Sequence, residues 1–201
     1  MTVAAPHRIT PEEYLALERV AEYKSEFFNG EIFSMAGASF AHNQITANLI
    51  VYLHAQLRGS SCLAIPGDQR LKVSQTGLYT YPDLLVVCGP RQFDDLLKDT
   101  LLNPTLVLEI LSPSTEAYDR GVKFAHYRSI ETLKEYVLVA QDRPRIERHV
   151  RGPEESWIYY ESSGLEAVVE FASIPARLAL ADVYEEVDFP TALSLRPPVE
   201  S

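Results

Sequence analysis

The spacing of apolar residues along the chain predicts a domain of alternating helices and strands. From residue 45 to residue 57 a leucine or isoleucine recurs at every fourth position and Gly59 follows, as in an amphipathic helix that ends at a C-cap glycine. Four other stretches are predicted strands: RLKV, PDLLVVC, TLVLEIL and EYVLVA. The last three are continuous apolar runs, which are typical of central strands covered on both faces. We therefore expect the helix to pack on a sheet built from these strands.

Capping and turn residues predict a helix and a hairpin near the N-terminus. The run Thr10–Glu13 (TPEE) matches a capping box with proline at the first helical position, which predicts a short helix over residues 10–19. Asn29-Gly30 lies between two apolar-rich arms and favours the positive φ angles of a tight hairpin turn. The chain is thus expected to begin with a helix and a β-hairpin.

The second half of the chain adds a helix and another hairpin. A Ser/Thr-rich start and the spacing of Phe124, Tyr127 and Ile130 predict a helix from about residue 116. After Pro144, the alternating stretch RIERHVR and the following WIYYES predict a hairpin. This element order predicts an α/β domain with a mixed sheet flanked by helices. The 201 residues suit a single domain, with a core of about 10–150 and an acidic C-terminal extension of about 152–201.

The composition of the chain mainly excludes certain classes of protein. Hydrophobic residues make up 46% and charged residues 23%, near the average of globular proteins, so neither disorder nor a membrane protein is expected. No apolar run is long enough to span a bilayer, and the first residues lack the pattern of a secretory signal, so we expect a cytoplasmic protein. Cys62 and Cys88 are too few for a disulfide framework, and each is predicted to be a small buried hydrophobic residue.

The distribution of charge along the chain is uneven, and one segment of it is basic. The formal net charge of −10 argues against a broad nucleic-acid-binding surface. Residues 116–151, however, carry eight Lys and Arg against six Asp and Glu, whereas residues 152–201 carry two against ten. The basic segment is either a set of solvated faces on a helix and a hairpin or, if a site lies nearby, a surface for an anionic partner.

Two carboxylates occur in neighbouring apolar strands. Asp83 begins the run DLLVVC, and Glu109 lies inside TLVLEIL. Taken singly, Asp83 can be a strand-start residue after Pro82, and Glu109 can pair with an Arg or Lys across the sheet. Side chains in register on adjacent strands are close enough to share a ligand, and two such carboxylates repel unless a cation or a proton lies between them. The pair therefore predicts a site for a divalent cation such as Mg²⁺.

Lys123 lies in the helix that follows the Glu109 strand. With Asp119 it forms an i,i+4 pair, which on an exposed helix face has only a structural role. If the helix instead points Lys123 at the carboxylates, its ammonium group can orient or deprotonate a water molecule and offset the charge of a transition state.

The same stretches carry a family resemblance. In order, the chain contains NGE after a glutamate, a helix that starts with AH, YPDLLVV, LEILSPST, D-R-G-x-K and EYVLV. Across about residues 10–150 this set resembles the Uma family of restriction-endonuclease-like proteins in the PD-(D/E)XK nuclease superfamily. LEILSPST together with D-R-G-x-K is its most specific part. The resemblance implies a restriction-endonuclease-like core, a divalent metal ion (Mg²⁺ or Mn²⁺) and hydrolysis of DNA.

The resemblance also implies roles for individual residues. Asp83 and Glu109 match the two acidic metal ligands, and the backbone carbonyl of Ile110 completes the metal shell. Lys123 matches the catalytic lysine, which the superfamily pattern would place at Leu111.

Three further residues match the family pattern with less defined roles. Glu26 matches an acidic residue of the first hairpin and is a possible further metal ligand. His42, at the start of the second helix, and Asp119 have no assigned role, and for a lone histidine capping or core packing is the simpler role.

The leading hypothesis from the sequence is a metal-dependent DNA endonuclease that acts as a homodimer. Backbone phosphates would contact the basic segment, with these candidate residues: Arg120, Arg128, Arg143 and Arg145. One alternative is a catalytically weak nuclease-fold module that binds nucleic acid or a protein partner. Another is a metal-dependent hydrolase of a small phosphorylated substrate, which suits the acidic surface.

Overall fold

A computed structural model of the protein describes residues 8–189. Its α-helices are α1 (Pro11–Glu18), α2 (Phe40–Leu57), α3 (Glu116–Tyr118), α4 (Phe124–Tyr127) and α5 (Leu180–Val183). Its strands are β1 (Ser25–Phe28), β2 (Glu31–Ser34), β3 (Cys62–Pro66), β4 (Arg70–Val73), β5 (Leu78–Thr80), β6 (Leu84–Cys88), β7 (Thr100–Leu101), β8 (Leu106–Leu111), β9 (Glu135–Ala140), β10 (Arg145–Arg151), β11 (Trp157–Ser163), β12 (Val168–Glu170) and β13 (Arg177–Ala179). A π-helical segment, Asp119–Lys123, joins α3 to α4.

The strands form two main sheets and a small hairpin. The six-stranded sheet has the order β11-β10-β9-β8-β6-β3, in which β8 and β9 are parallel and the other neighbours antiparallel. The five-stranded sheet has the order β2-β1-β5-β4-β7, and β12 pairs with β13 alone. The predicted α/β fold with a mixed sheet flanked by helices is therefore confirmed, but the predicted strand RLKV (β4) lies in the five-stranded sheet and not beside the other three.

Both faces of the six-stranded sheet are covered, as its continuous apolar strands predicted. Leu108 and Ile110 of β8 face α2, whose buried residues are Ile45, Asn48, Leu49, Leu53 and Leu57. Val107 and Leu111 belong instead to a second core, shared with the five-stranded sheet and α4. Each fully buried leucine or isoleucine contributes about 1.5–3 kcal/mol to folding. Because side chains alternate along a strand, Glu109 faces the second core, between the two sheets.

The capping and turn residues in the sequence have the structures that were predicted for them. Thr10 caps α1 in a full capping box, and α2 ends just before Gly59, which has a φ of +83°. Asn29 and Gly30 both have positive φ in the turn between β1 and β2. The predicted helix from residue 116 exists, but its middle turn is π-helical, which the apolar spacing did not reveal.

The segment after residue 151 contributes to the sheet and the core. β11 pairs with β10 along its whole length and forms one edge of the six-stranded sheet. Further on, residues of β12, β13 and α5 pack on the α2 side of the sheet, with Val169, Leu178, Leu180 and Val183 almost fully buried. The last residues of the predicted extension, 190–201, lie outside the described part.

The prediction that each cysteine serves as a small buried hydrophobic residue was wrong. Cys62 and Cys88 lie directly opposite each other in the antiparallel pair of β3 and β6, and they form a disulfide bond. The cross-strand register that brings the two thiols together depends on β3, and β3 was not among the predicted strands. No helix in residues 8–189 has the length and apolar character needed to cross a membrane.

Candidate active site

Asp83 and Glu109 face each other at one end of the β6–β8 pair. Leu84 is the register partner of Leu108 in this antiparallel pair, so Asp83, the preceding residue, comes opposite Glu109. Asp83 Oδ2 accepts a hydrogen bond of 2.7 Å from the backbone N–H of Ile110. The sheet register therefore brings together the two carboxylates that the sequence predicted to share a site.

Lys123 joins the two sheets through its ammonium group. Its Nζ lies 3.1 Å from Glu109 Oε1 in the six-stranded sheet and 3.4 Å from Glu26 Oε1 in the five-stranded sheet. Asp119 Oδ1, on the same helical segment, lies 3.3 Å away. That oxygen is buried and lacks a well-aligned hydrogen bond among residues 8–189, so its contact with Lys123 is an ion pair only. All four side chains are buried, so this is an internal charge cluster and not an exposed i,i+4 pair.

The π-helical segment carries two inward-pointing charges, Asp119 and Lys123. Residues four apart lie close to one face of a helix, so the two side chains share a face. Here Asp119 and Lys123 are buried while Gly121 and Val122, between them, are exposed. The segment thus presents a carboxylate and an ammonium group to the same interior site.

Three hydroxyl groups complete the cluster. Tyr127 donates a 2.8 Å hydrogen bond to Glu109 Oε1, the same oxygen that contacts Lys123. Glu26 accepts from Thr80 at Oε1 and from Tyr118 at Oε2, so both of its oxygens already have protein donors. These hydroxyls were not predicted as site residues. Tyr127 could have been found from the sequence, since it follows Lys123 by four positions and so lies on the same helix face.

The electrostatics of the cluster reflect an excess of buried carboxylates. Burial raises the pKa of Glu109 to about 8, although Lys123 acts in the opposite direction. Burial also raises the pKa of Asp119. For Lys123, burial disfavours the charge, but the carboxylates of Glu109, Glu26 and Asp119 outweigh it and raise the pKa well above its usual value. The lysine therefore stays charged in a site that is short of positive charge.

His42 reaches the same site from α2. Its backbone N–H is capped by Ser39 Oγ in the first turn of the helix, and its Nε2 lies 3.1 Å from Asp83 Oδ1. Asp83 is thus contacted by α2 on one oxygen and by β8 on the other. The simple roles expected for a lone histidine, capping or core packing, do not account for this contact.

The four predicted DNA-binding arginines differ in how much of their charge is free. Arg120 forms a two-point ion pair with Glu147 and contacts Glu116, and Arg145 also contacts Glu147. Arg128 is exposed and stacks on the Phe124 ring at 5.3 Å. Arg143 has a single loose contact of 3.8 Å with Asp142. The charges of Arg128 and Arg143 are therefore the more available to an anionic partner.

The donor chemistry of the charge cluster together with Asp83 fits a hard divalent cation. Glu26, Asp83, Glu109 and Asp119 provide four carboxylates against one ammonium group, and carboxylate oxygens are what Mg²⁺ and Mn²⁺ prefer. Within residues 8–189, however, no three His, Cys, Asp or Glu side chains stand in a ligand arrangement. Both hydrogen bonds that Glu109 accepts from described side chains end on Oε1. A cation would therefore be held by Asp83 and Glu109, with the Ile110 carbonyl as the predicted third donor.

Comparisons with known proteins agree on the family and the fold. A crystal structure from Anabaena variabilis, described as "a putative nuclease belonging to DUF820", matches with a TM-score of 0.70 and 20% identity over 88% of this chain and 97% of that chain. The uncharacterized Synechocystis protein sll1609 is 36% identical to this chain, over 86% of this chain and 97% of its own length. A second one, slr1290, is 34% identical over 90% of this chain and 94% of its own length. The model of the Uma2 family, described as "Putative restriction endonuclease", matches residues 11–181. The chain therefore belongs to the Uma2 family of restriction-endonuclease-like proteins.

Proposed function

We propose that this protein is a metal-dependent endonuclease that hydrolyses phosphodiester bonds in DNA. The observation that carries the proposal is the convergence of Asp83, Glu109 and Lys123, which the family pattern marks as the two metal ligands and the catalytic lysine. Asp83 and Glu109 would hold Mg²⁺ or Mn²⁺, which when bound would stabilise the attacking and leaving oxygens and the charge that develops on the phosphoryl group.

The protein side chains would stabilise charge in the transition state and hold one another in position. Because the pKa of Lys123 is raised, its amine stays protonated and is not available as a general base, so it would act as a hydrogen-bond donor that offsets negative charge. Glu26, with Thr80 and Tyr118, would hold the ammonium group in place. In the reaction, a water oxygen forms a bond to phosphorus, the bond from phosphorus to one sugar oxygen breaks, and that oxygen gains a proton.

Free arginines near the helix α4 and the β9–β10 turn would bind the DNA backbone. Arg128 and Arg143 are exposed, and cations of this kind give affinity that falls as salt rises, because bound counterions are released from the DNA. Phosphate contacts by these two arginines are compatible with the net charge of −10, since each contact needs only local positive charge.

A plasmid-nicking assay tests the proposal. Wild-type protein and the variants Asp83→Asn and Glu109→Gln would be incubated with supercoiled plasmid and Mn²⁺, with Glu131→Gln, an exposed carboxylate, as the matched control. We expect wild type and the control to nick the plasmid and both site variants to lose activity by about 100-fold or more. Equal nicking by all four proteins, or nicking that survives EDTA, would contradict the mechanism.

One observation favours a second candidate, a catalytically weak module of the same fold. The Lys123 ammonium group already contacts Glu109, Glu26 and Asp119, so the site partly satisfies its own charges without a metal ion. Calorimetric titration with Mn²⁺ separates the two candidates. An active site of the proposed kind binds the ion and loses affinity in Glu109→Gln, whereas a silent module binds weakly and equally in both proteins.

A further inference from the structure

His42 makes a contact that its expected structural roles do not explain. Its Nε2 lies 3.1 Å from Asp83 Oδ1, and its side chain is only 15% exposed. Its Nδ1 is buried and has no hydrogen-bond partner among the described residues. A histidine placed for core stability normally has both ring nitrogens satisfied, because an unpaired buried polar atom costs free energy. The ring is therefore placed for its contact with Asp83.

The contacts of Asp83 show what the imidazole does there. The backbone N–H of Ile110 binds Oδ2, and His42 approaches Oδ1, so a strand and a helix hold the two oxygens of one carboxylate. Without His42, Asp83 would keep a single hydrogen bond and could rotate about its side-chain bonds, since it precedes β6 and is 23% exposed. Groups that hydrogen-bond a ligating carboxylate fix its orientation and tune its affinity for the metal.

We infer that His42 is a positioning residue that holds Asp83 in the orientation needed to bind a divalent cation, an inference that rests on the proposed function. The ring donates from Nε2 to Asp83 Oδ1. This tautomer follows from the partner of Nε2, because a carboxylate oxygen accepts hydrogen bonds and an unprotonated Nε2 would have none to donate.

The role predicts a pattern across substitutions that a purely structural role would not give. In His42→Gln the amide nitrogen can reach about the same place as Nε2, so the hydrogen bond to Asp83 is kept. In His42→Asn the amide is one bond shorter and loses the contact, although it is equally polar and equally compatible with a helix start. His42→Leu removes the donor but keeps the bulk. His54→Leu, at the exposed far end of α2, is the control.

Mn²⁺ affinity, measured by calorimetry on full-length protein, is the main readout. Relative to wild type, we expect His42→Leu and His42→Asn to raise the Kd about 10- to 100-fold, and His42→Gln and His54→Leu to change it by less than about threefold. Thermal unfolding of the metal-free proteins should place all four variants close to wild type. In addition, long-range ¹H–¹⁵N spectra of metal-free wild type should show the proton on Nε2 of His42.

The outcomes separate this inference from the proposed function. If wild type binds Mn²⁺ and all four variants bind it equally well, or if His42→Gln is as weak as His42→Leu, His42 does not position Asp83 and only the inference fails. A proton on Nδ1 with none on Nε2 in the spectra would overturn it too. If wild-type protein binds no Mn²⁺, the proposed metal site fails and the inference fails with it.

Discussion

At the scale of single residues, Lys123 neutralises three buried carboxylates and so should be as important for folding as for chemistry. Replacement by methionine keeps most of the volume but leaves Glu26, Glu109 and Asp119 without a cation. Removing one partner from a buried ionic cluster typically costs about 3–5 kcal/mol, and we expect a loss of this size in urea unfolding at pH 7. The loss should grow as the pH rises from 5 to 9, because burial raises the pKa values of Glu109 and Asp119, and the charge that lacks a partner increases as they lose their protons.

Lys134→Met is the matched control for that experiment. Lys134 is exposed, so its replacement should change the free energy of unfolding by no more than about 0.5 kcal/mol. A Lys123→Met protein as stable as this control would mean that the buried charges are not coupled as the distances indicate.

Glu109 gives the metal-free protein a distinctive dependence on pH. Burial raises its pKa to about 8, above the ordinary value of 4.5 that it regains on unfolding. The folded state therefore holds the proton more tightly, and stability should fall as the pH rises from 4.5 through 8. Glu109→Gln should flatten the fall of stability with pH. Relative to wild type, the variant should therefore gain stability at pH 9, as measured by thermal unfolding in EDTA. An unchanged slope would show that another group is responsible.

At the scale of secondary structure, the π-helical segment positions two buried charges with a glycine between them. A Cβ atom added to Gly121 would meet no other atom within 4 Å, and the residue is helical. Gly121→Ala should therefore stabilise the protein by about 0.5–1 kcal/mol in urea unfolding, because alanine loses less backbone entropy in a helix.

Gly77→Ala provides the contrast for that substitution. Gly77 also has open space around its Cβ position, but its φ is +79°, so alanine should be strained there and destabilise the protein. A loss of stability in Gly121→Ala would indicate that the segment needs more freedom than its geometry requires.

The sequence predicts the main strands and the carboxylate pair but not the detailed cluster. DLLVVC and LVLEIL are long apolar runs, so their burial and pairing follow from composition. β5 and β7 have only three and two residues, and β3 ends at Pro66, so their pairing is set by contacts distant in sequence. Lys123 shares a helix face with Asp119, but Glu26 meets its ammonium group only through packing of one sheet on the other. The contact between His42 and Asp83 likewise needs three-dimensional placement.

At the scale of the whole molecule, the disulfide joins the edge strand β3 to β6, the strand that follows Asp83. The bond closes a loop with a sequence separation of 26 residues, for which chain-entropy arguments give about 3–4 kcal/mol. Cys62→Ser together with Cys88→Ser should lower stability by about that amount in urea unfolding and leave the circular dichroism spectrum unchanged. Two free thiols in the unreduced wild-type protein, counted by thiol titration, would contradict the pairing.

The bridge that Lys123 makes between the two sheets also restricts how such a protein could lose the proposed activity by mutation. A single change at Lys123 exposes the chain to misfolding and degradation, because it removes the cation that three buried acidic side chains share. A stable, inactive descendant would need compensating changes at the carboxylates as well. Changes at Asp83, which is partly exposed and outside that charge cluster, meet no such barrier. Family members that are inactive but well folded should therefore more often lack the aspartate at position 83 than the lysine at position 123.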